Sequence, residues 1–255
     1  MQLASMKWTQ VKDLCFSNLI ALVPLGSIEQ HSRHLPLSVD TDVITELAQR
    51  VEKERSDRVV LLPTLWLGHS PHHRFFACLS LDVRTYMDVI IGLCDSLVLP
   101  GFRKILFLNG HGGNEIAAKA ALREVKSKYE SNHDLKIGFA SYWALGQQTL
   151  GEVRESALGG VGHACEMETS LMLHLKPDSV DMSNAQTGGP FGTEDRYKLL
   201  DAQFARPVYF VDEFSEVSEN GAIGQPELGT AEKGKKFLDG FTREVVNFID
   251  EFVKW

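Results

Sequence analysis

One short stretch constrains the fold more than any other, because an apolar run ends there abruptly in polar side chains. The run covers residues 19–25, and the strand predicted from it covers residues 18–25, with the composition of a strand buried on both faces. Glu29 and His31 follow it two residues apart, so they share one face of an extended chain. Asp40 returns after a loop that contains Pro36. We therefore expect a buried strand that carries reactive side chains at its carboxyl end.

Strand and helix patterns alternate through the first 142 residues. Alternation of this kind predicts a three-layer α/β/α fold, with a mainly parallel or mixed central sheet covered by helices on both faces. In such folds, functional loops lie at the carboxyl ends of the strands. The later predicted strands span residues 58–62, 104–108 and 135–142, and the predicted helices span residues 41–54, 83–97 and 115–129.

The second half of the chain gives weaker patterns. Apolar spacing predicts helices over residues 167–175 and 231–253, and a late strand over 207–211. Residues 144–165 are expected to be irregular, and the polar stretch 183–206 to form a mobile loop over the site. We find no internal repeat or linker, so residues 1–255 are expected to form a single domain.

Composition excludes some classes of partner. The formal net charge of -8 argues against binding to nucleic acid or to an anionic membrane. The chain has no apolar run of membrane-spanning length and no secretory signal pattern at its start. Its four cysteines show no CxxC spacing and have mostly apolar neighbours, which is typical of buried, reduced thiols. We therefore expect a cytoplasmic protein.

The polar side chains after the first predicted strand suit a metal ion. Glu29, His31 and Asp40 supply a carboxylate, an imidazole and a second carboxylate, which are ligand types for divalent metals. The competing interpretation is a surface loop with ordinary charged residues. A strand end that leads into Glu-x-His and a later Asp has little structural purpose on its own, so we favour the metal site.

A second polar motif, Asn-Gly-His-Gly-Gly-Asn at residues 109–114, follows the strand predicted at 104–108. Its glycines permit a tight turn, and the strand end would direct His111 into the crevice. The alternative is a glycine loop that cradles a phosphate before a helix. This loop lacks the spacing and the lysine of a P-loop. That alternative predicts a binding module for a phosphorylated small molecule without hydrolase activity.

A third motif, Gly-His-Ala-Cys-Glu-Met-Glu-Thr-Ser, covers residues 162–170. On a helix that starts here, His163 and Glu166 would share a face and Glu168 would point elsewhere. Alternatively, the two glutamates merely place favourable negative charge at a helix N-terminus.

Three further residues are candidates for substrate contact. His72 and His73 follow Ser-Pro in a histidine-rich loop, and either of them could face substrate or simply be exposed. Trp143 could line the pocket, and a position in the core is equally compatible with its sequence context.

Taken together, these motifs resemble the creatininase (creatinine amidohydrolase) family. Glu-Gln-His-x-x-His-Leu-Pro-Leu, Asn-Gly-His and His-Ala-x-Glu carry the likeness, which runs in patches from about residue 20 to about residue 240. Ser32 and Arg33 stand where members usually have Gly-Pro, and Cys165 replaces a glycine. The resemblance implies a creatininase-like fold and matches His111 to a metal ligand of the family.

The resemblance further implies a binuclear amidohydrolase with two zinc, manganese or iron ions per chain. Asp40 would bridge the ions, Glu29 and His111 would complete one site, and His31 and Glu166 the other. Glu166 enters because classical creatininases carry a glutamate at the place of Gly113; whether Glu166 or Glu168 fills this role stays open. His163 would carry a proton to the leaving nitrogen.

The substrate that the resemblance implies is a small molecule with a non-peptide C–N bond: a cyclic amide, a formamide or a similar small amide. Glycines at 112, 113 and 162 depart from the creatinine-hydrolysing subgroup and argue against creatinine itself. Relatives assemble into rings, often hexamers, so we expect a homo-oligomer. A member without activity is the remaining alternative, although every proposed ligand is present.

Overall fold

The computed structural model describes residues 1–191, 195, 197–204 and 206–255. Within these residues the strands are β1 (Ile20–Leu25), β2 (Ile28–Glu29), β3 (Val59–Leu61), β4 (Cys78–Leu79), β5 (Lys104–Asn109), β6 (Lys136–Ser141), β7 (Val161–His163) and β8 (Ile223–Gly224). The central sheet is parallel and has the order β3-β1-β5-β6. The short pairs β2–β4 and β7–β8 are antiparallel.

The helices cover both faces of this sheet. They are α1 (Trp8–Lys12), α2 (Val39–Glu54), α3 (Val83–Val98), α4 (Asn114–Lys128), α5 (Tyr142–Leu145), α6 (Gln147–Val153), α7 (Glu166–Leu175), α8 (Phe214–Val217) and α9 (Ala231–Phe252). Apolar side chains of α2, α7 and α9 form one core, and those of α3 and α4 form the other. The predicted three-layer architecture is therefore confirmed.

Strand β1 lies at the centre of the fold, between the two apolar cores. All six of its residues are buried, and alternate side chains enter opposite cores. Ile20 and Leu22 pack with α2 and α9, whereas Ala21 and Val23 pack with α3 and α4. Burial of each larger side chain contributes roughly 1.5–3 kcal/mol relative to exposure.

The register of the sheet brings two polar loops together. Strand β1 pairs with β5 along its whole length, so Leu25 lies opposite Asn109 at the carboxyl end. The segment that begins at Gly26 and the segment that begins at Gly110 therefore leave the sheet side by side, as the parallel pattern predicted.

Several local predictions differ from the structure. Residues 207–211 form no strand, and Tyr209 and Val211 are 72% and 88% exposed, so these side chains lack the burial that stabilises a strand. Residues 144–165 contain helix α6 and strand β7 rather than irregular chain alone. In the loop expected over residues 183–206, positions 192–194, 196 and 205 lie outside the described residues.

The cysteines are free, as expected, but their burial is mixed. Cys94 and Cys165 are buried, whereas Cys15 is exposed and Cys78 is half-buried. The expectation that all four thiols are buried was wrong for these two, because Cys15 precedes a short surface turn and Cys78 lies in the two-residue strand β4. Among the described helices, none has the length and apolar character that crossing a membrane requires.

Candidate metal centre

Four predicted ligand residues meet at the carboxyl end of the sheet. Glu29 ends β2, His31 follows it, Asp40 lies in the first turn of α2, and His111 follows β5. Each is at most 4% exposed. Burial of two carboxylates and two imidazoles at one point is unfavourable unless something compensates their charge.

The contacts within this cluster are between atoms that bind metals. Nδ1 of His111 lies 3.2 Å from Oε2 of Glu29 and 3.1 Å from Oδ2 of Asp40. Nε2 of His31 lies 3.2 Å from Oδ1 of Asp40. Asp40 therefore presents one oxygen to each histidine, which is the arrangement that a bridging carboxylate requires.

Hydrogen bonds on the far side of each ring hold both histidines in place. Nδ1 of His31 donates to the main-chain carbonyl of Glu29 at 3.2 Å. Nε2 of His111 lies 3.0 Å from Oγ of Ser70 and 3.2 Å from the carbonyl of His69. In the neutral rings these bonds leave a lone pair on Nε2 of His31 and on Nδ1 of His111, both facing the carboxylates.

The donor set fits divalent ions. Oε2 of Glu29, Nε2 of His31 and Oδ2 of Asp40 are buried and lack a hydrogen-bond partner in the described structure, so a cation would satisfy them. Two atoms that bind one zinc ion tetrahedrally at about 2.1 Å lie roughly 3.4 Å apart. The separations of 3.1 and 3.2 Å in the cluster are close to that value.

Charge in the cluster shifts the protonation of its members. Burial alone would raise the pKa of Glu29, but the charges of His111 and His73 outweigh it and hold that pKa well below its usual range. Burial would lower the pKa of His31, but the charge of Asp40 raises it to about 9. Without an ion, the carboxylates therefore favour protonated imidazoles, and a divalent cation would take the place of those protons.

Glu168, rather than Glu166, lies beside His31. Oε1 of Glu168 is 4.0 Å from Nε2 of His31, and His31, His163 and Glu168 form one candidate ligand group. Burial raises the pKa of Glu168 to about 7, partly opposed by the charge of His31. The charge of His31 therefore compensates this carboxyl group only in part.

The expectation that His163 and Glu166 share one helical face differs from the structure. His163 ends strand β7, and α7 begins only at Glu166, so helical spacing does not relate the two. Between them, Ala164 adopts a left-handed conformation with φ of 47°. The turn directs Glu166 away from the cluster, where its oxygens accept hydrogen bonds from the main chain at Glu155 and Ser156, each at 2.9 Å.

Gly113 explains why the second motif supplies a histidine but no carboxylate to the cluster. A Cβ atom at this position would collide with Nε2 of His111, the carbonyl of His69 and the ring of His72. By contrast, a Cβ atom at Gly112 would meet nothing within 4 Å. The packing around residue 113 therefore excludes the carboxylate that classical creatininases carry there.

The structure places the three candidate substrate residues differently. His73 is buried, and its Nε2 lies 3.2 Å from Oε1 of Glu29. His72 is half-buried and lies parallel to the ring of His111 at 5.8 Å between centroids. Trp143 packs against the core with α2 and α9, next to Tyr142.

Sequence reasoning missed two residues of the site. Phe214, from α8, stacks on His73 with ring centroids 4.2 Å apart and contacts the edge of His163 at 4.7 Å. No local pattern around residue 214 indicates this long-range contact. Gln30 binds His73 and His163, and its place between Glu29 and His31 was the signal that could have identified it.

Comparisons with known proteins point to one family. A family model described as "Creatininase: Creatinine amidohydrolase" matches residues 4–249. The chain is 28% identical over 244 residues to the mycofactocin precursor peptide peptidase of Mycobacterium ulcerans (strain Agy99), covering 92% of this chain and 84% of the relative. It is also 28% identical over 251 residues to the creatinine amidohydrolase of Pseudomonas putida, covering 91% and 89%.

Solved structures show the same fold. A creatinine amidohydrolase (creatininase) crystal structure has a TM-score of 0.82 at 23% identity, covering 98% of this chain and 96% of that one. A mutant creatininase of Zn-Zn type also has a TM-score of 0.82 at 22% identity, covering 98% and 97%. The expected creatininase-like architecture is thereby confirmed.

Proposed function

The chain belongs to the creatininase family, and from that membership and the geometry of its site we propose that it is a metal-dependent amidohydrolase. The observation that carries the proposal is the buried cluster of Glu29, His31, Asp40 and His111, whose unpartnered atoms face one another. No structural role requires four such groups to converge. The reaction is hydrolysis of a C–N bond in an amide.

We propose that the site holds two divalent ions. Glu29, Asp40 and His111 would bind one, and His31, Asp40 and Glu168 the other. Glu168 takes the place first given to Glu166, because Oε1 of Glu168 lies 4.0 Å from Nε2 of His31 whereas Glu166 is bound elsewhere. When bound, such a pair of ions acidifies a water molecule and polarises a carbonyl group.

The protein's own residues would orient substrate and move the proton. Nδ1 of His163 lies 3.7 Å from Oε1 of Glu29 at the edge of the cluster, so we assign His163 the transfer of a proton to the leaving nitrogen. His72 is the more accessible of the paired histidines and is assigned to substrate contact. Phe214 covers His73 and His163 with an apolar ring and would exclude water from one side of the site.

The alternative function, binding of a phosphorylated molecule by the glycine loop, has no support here. The side chains of Asn109 and Asn114 are used within the protein: they donate to the carbonyls of His111 and Gly26 at 2.7 and 3.0 Å. The carboxylates of Glu29 and Asp40 contact His111 in that loop, and their charge would repel phosphate.

The test is a substrate screen on metal-defined protein. The purified chain is stripped with a chelator, checked by elemental analysis, and reloaded with zinc, manganese or iron. Small amides, lactams, formamides and short peptides are then assayed for hydrolysis. We expect turnover of a small non-peptide amide that disappears on stripping and returns on reloading. Full hydrolysis by verified metal-free protein would contradict the proposal, and nucleotide binding by a protein that takes up no metal would favour the alternative.

We further propose a cytoplasmic homo-oligomer, with a hexamer as the form that family resemblance favours. Support comes from large exposed apolar side chains: Trp66, Phe75 and Leu79 are 48%, 76% and 53% exposed. Analytical ultracentrifugation at micromolar concentration would show a single species of about six chains. A monomer at every concentration would contradict it.

A further inference from the structure

Gln30 connects four segments of the site through one buried residue. It is 5% exposed and lies between Glu29 and His31. Its side chain contacts Ser32, Gly221 and His73, and its main-chain carbonyl contacts His163. The segments that meet there come from the ends of β2 and β7, from the loop before β4 and from the turn before β8.

The orientation of the Gln30 amide follows from its two main-chain partners. Oε1 accepts a hydrogen bond from the main-chain N–H of Ser32 at 2.7 Å. Nε2 donates to the carbonyl of Gly221 at 3.0 Å. A flipped amide would place its oxygen against that carbonyl and its N–H₂ against that N–H, so only the observed orientation satisfies both partners.

Donor and acceptor roles also determine which ring nitrogen of His163 carries the proton. Nε2 of His163 lies 2.7 Å from the main-chain carbonyl of Gln30. A carbonyl can only accept, so Nε2 carries a proton and cannot also accept from the Gln30 amide, although that nitrogen lies 3.1 Å away. In the neutral ring, the lone pair is then on Nδ1, the nitrogen nearer Glu29.

The second N–H of the Gln30 amide donates a hydrogen bond to His73. Nε2 of Gln30 lies 3.0 Å from Nδ1 of His73, which must therefore accept. The proton of the neutral His73 ring is then on Nε2, which lies 3.2 Å from Oε1 of Glu29 and donates to it. This bond uses one oxygen of Glu29 and leaves Oε2 free for an ion.

We infer that Gln30 is a positioning residue that decides which ring nitrogens of His73 and His163 carry protons. The ligand atoms of Glu29, His73 and His163 all lie within 4.8 Å of one another, a spacing that could itself hold a cation. Gln30 prevents this by making Nε2 of His73 a donor. Through its main-chain carbonyl, Gln30 also leaves the lone pair of His163 on Nδ1. There the ring can take a proton from the attacking water and pass it to the leaving nitrogen, and only this catalytic part rests on the proposed function.

The test reads the protons directly. Full-length, zinc-loaded protein with ¹⁵N-labelled histidine is studied by long-range ¹H–¹⁵N correlation, which distinguishes protonated from unprotonated ring nitrogens. In the natural protein we expect Nε2–H tautomers for His73 and His163. Gln30→Met should add the Nδ1–H form of His73 and leave His163 unchanged, because the main-chain carbonyl remains. Gln30→Glu should put a proton on Nδ1 of His73, since a carboxylate can only accept.

Ser32→Ala is the matched control. It removes the bond from Oγ of Ser32 to the carbonyl of Asn220 at 2.9 Å but keeps the N–H that holds the amide of Gln30. The ring nitrogens should not change. Elemental analysis should find the same zinc content in Ser32→Ala as in the natural protein.

A proton on Nδ1 of His73 in the natural protein would overturn the inference, as would unchanged histidine spectra in both Gln30 variants. If neither variant folds, the spectrum of the natural protein alone decides. The spectra need no substrate, so a failed amide screen would count against the proposed function without affecting this result.

Discussion

Lys233 forms a buried ion pair with Glu166: its Nζ atom lies 2.7 Å from Oε1, and the two side chains are 8% and 0% exposed. Lys233 lies in the first turn of α9 and Glu166 begins α7, so the pair joins two helices near the site. Burial alone would raise the pKa of Glu166, but the bonds from Lys233 and Ser156 lower it. The carboxylate stays charged and binds the loop before β7.

We expect Lys233→Met to destabilise the protein by about 3 kcal/mol, because it leaves a buried carboxylate without its cation. Urea unfolding would measure the change. The double variant Glu166→Gln, Lys233→Met should recover much of the loss. Lys235→Met is the control: Lys235 is 64% exposed and pairs with Asp239 on the same helix, so its loss should change stability by less than about 1 kcal/mol. Equal effects at 233 and 235 would contradict the assignment.

The two glutamates of α7 should behave oppositely in metal analysis. Glu168→Gln should deplete one ion per chain and lower turnover by several orders of magnitude, because the ion near His31 loses a ligand. Glu166→Gln should keep both ions, since its carboxylate binds Lys233 and the main chain. Elemental analysis of both variants decides; loss of metal from Glu166→Gln alone would reverse the proposal.

Asp40→Asn should empty the site more completely than any other single change. Its two oxygens face His31 and His111 separately, so both ions depend on it. Asp42→Asn is the control, because Asp42 accepts from Oγ of Ser38 and pairs with Lys176, both at 2.7 Å. If Asp42→Asn loses metal while Asp40→Asn keeps it, the bridging role has been assigned to the wrong residue.

A side chain at residue 113 should disrupt the centre, whereas one at residue 112 should not. Gly113→Ala would force Cβ against His111 and the carbonyl of His69, and we expect loss of metal and destabilisation of roughly 1–3 kcal/mol. Gly112→Ala meets open space and should retain both ions. Metal content and thermal unfolding of the pair check this, and identical behaviour would show that the loop can adapt.

Stability of the metal-free protein should fall between pH 6.5 and 4 because of His34. Burial lowers the pKa of His34 to about 4, and the charge of His31 acts in the same direction. The charges of Glu227 and Asp181 oppose this shift only in part. Below pH 6.5 His34 binds a proton in the unfolded chain but not in the folded chain. The free energy of unfolding therefore decreases as pH falls. His34→Gln should reduce the slope of the free energy of unfolding against pH by an amount that corresponds to at most one bound proton. An unchanged slope in urea titrations would contradict the prediction.

The first ligands were predictable because their signals are local. Glu29 and His31 share a face through the two-residue repeat of an extended chain, and His111 follows a recognisable buried strand. The choice between Glu166 and Glu168 was not predictable in this way. It depends on the left-handed conformation of Ala164, which no local sequence pattern indicates. It also depends on Lys233, which is 67 residues away from Glu166 in sequence. Gln30 likewise acts through partners distant in sequence.

Burial of the four residues at the sheet edge also bears on how ions enter and leave. His31 is inaccessible, and Glu29, His111 and Asp40 are 1%, 3% and 4% exposed. An ion can therefore reach them only when part of the surrounding structure opens, so exchange should take place at the rate of that opening rather than of diffusion. A loaded molecule would then exchange its ions slowly, so the metal found after purification would reflect the supply in the cell that made it, and stripping and reloading would need long incubation.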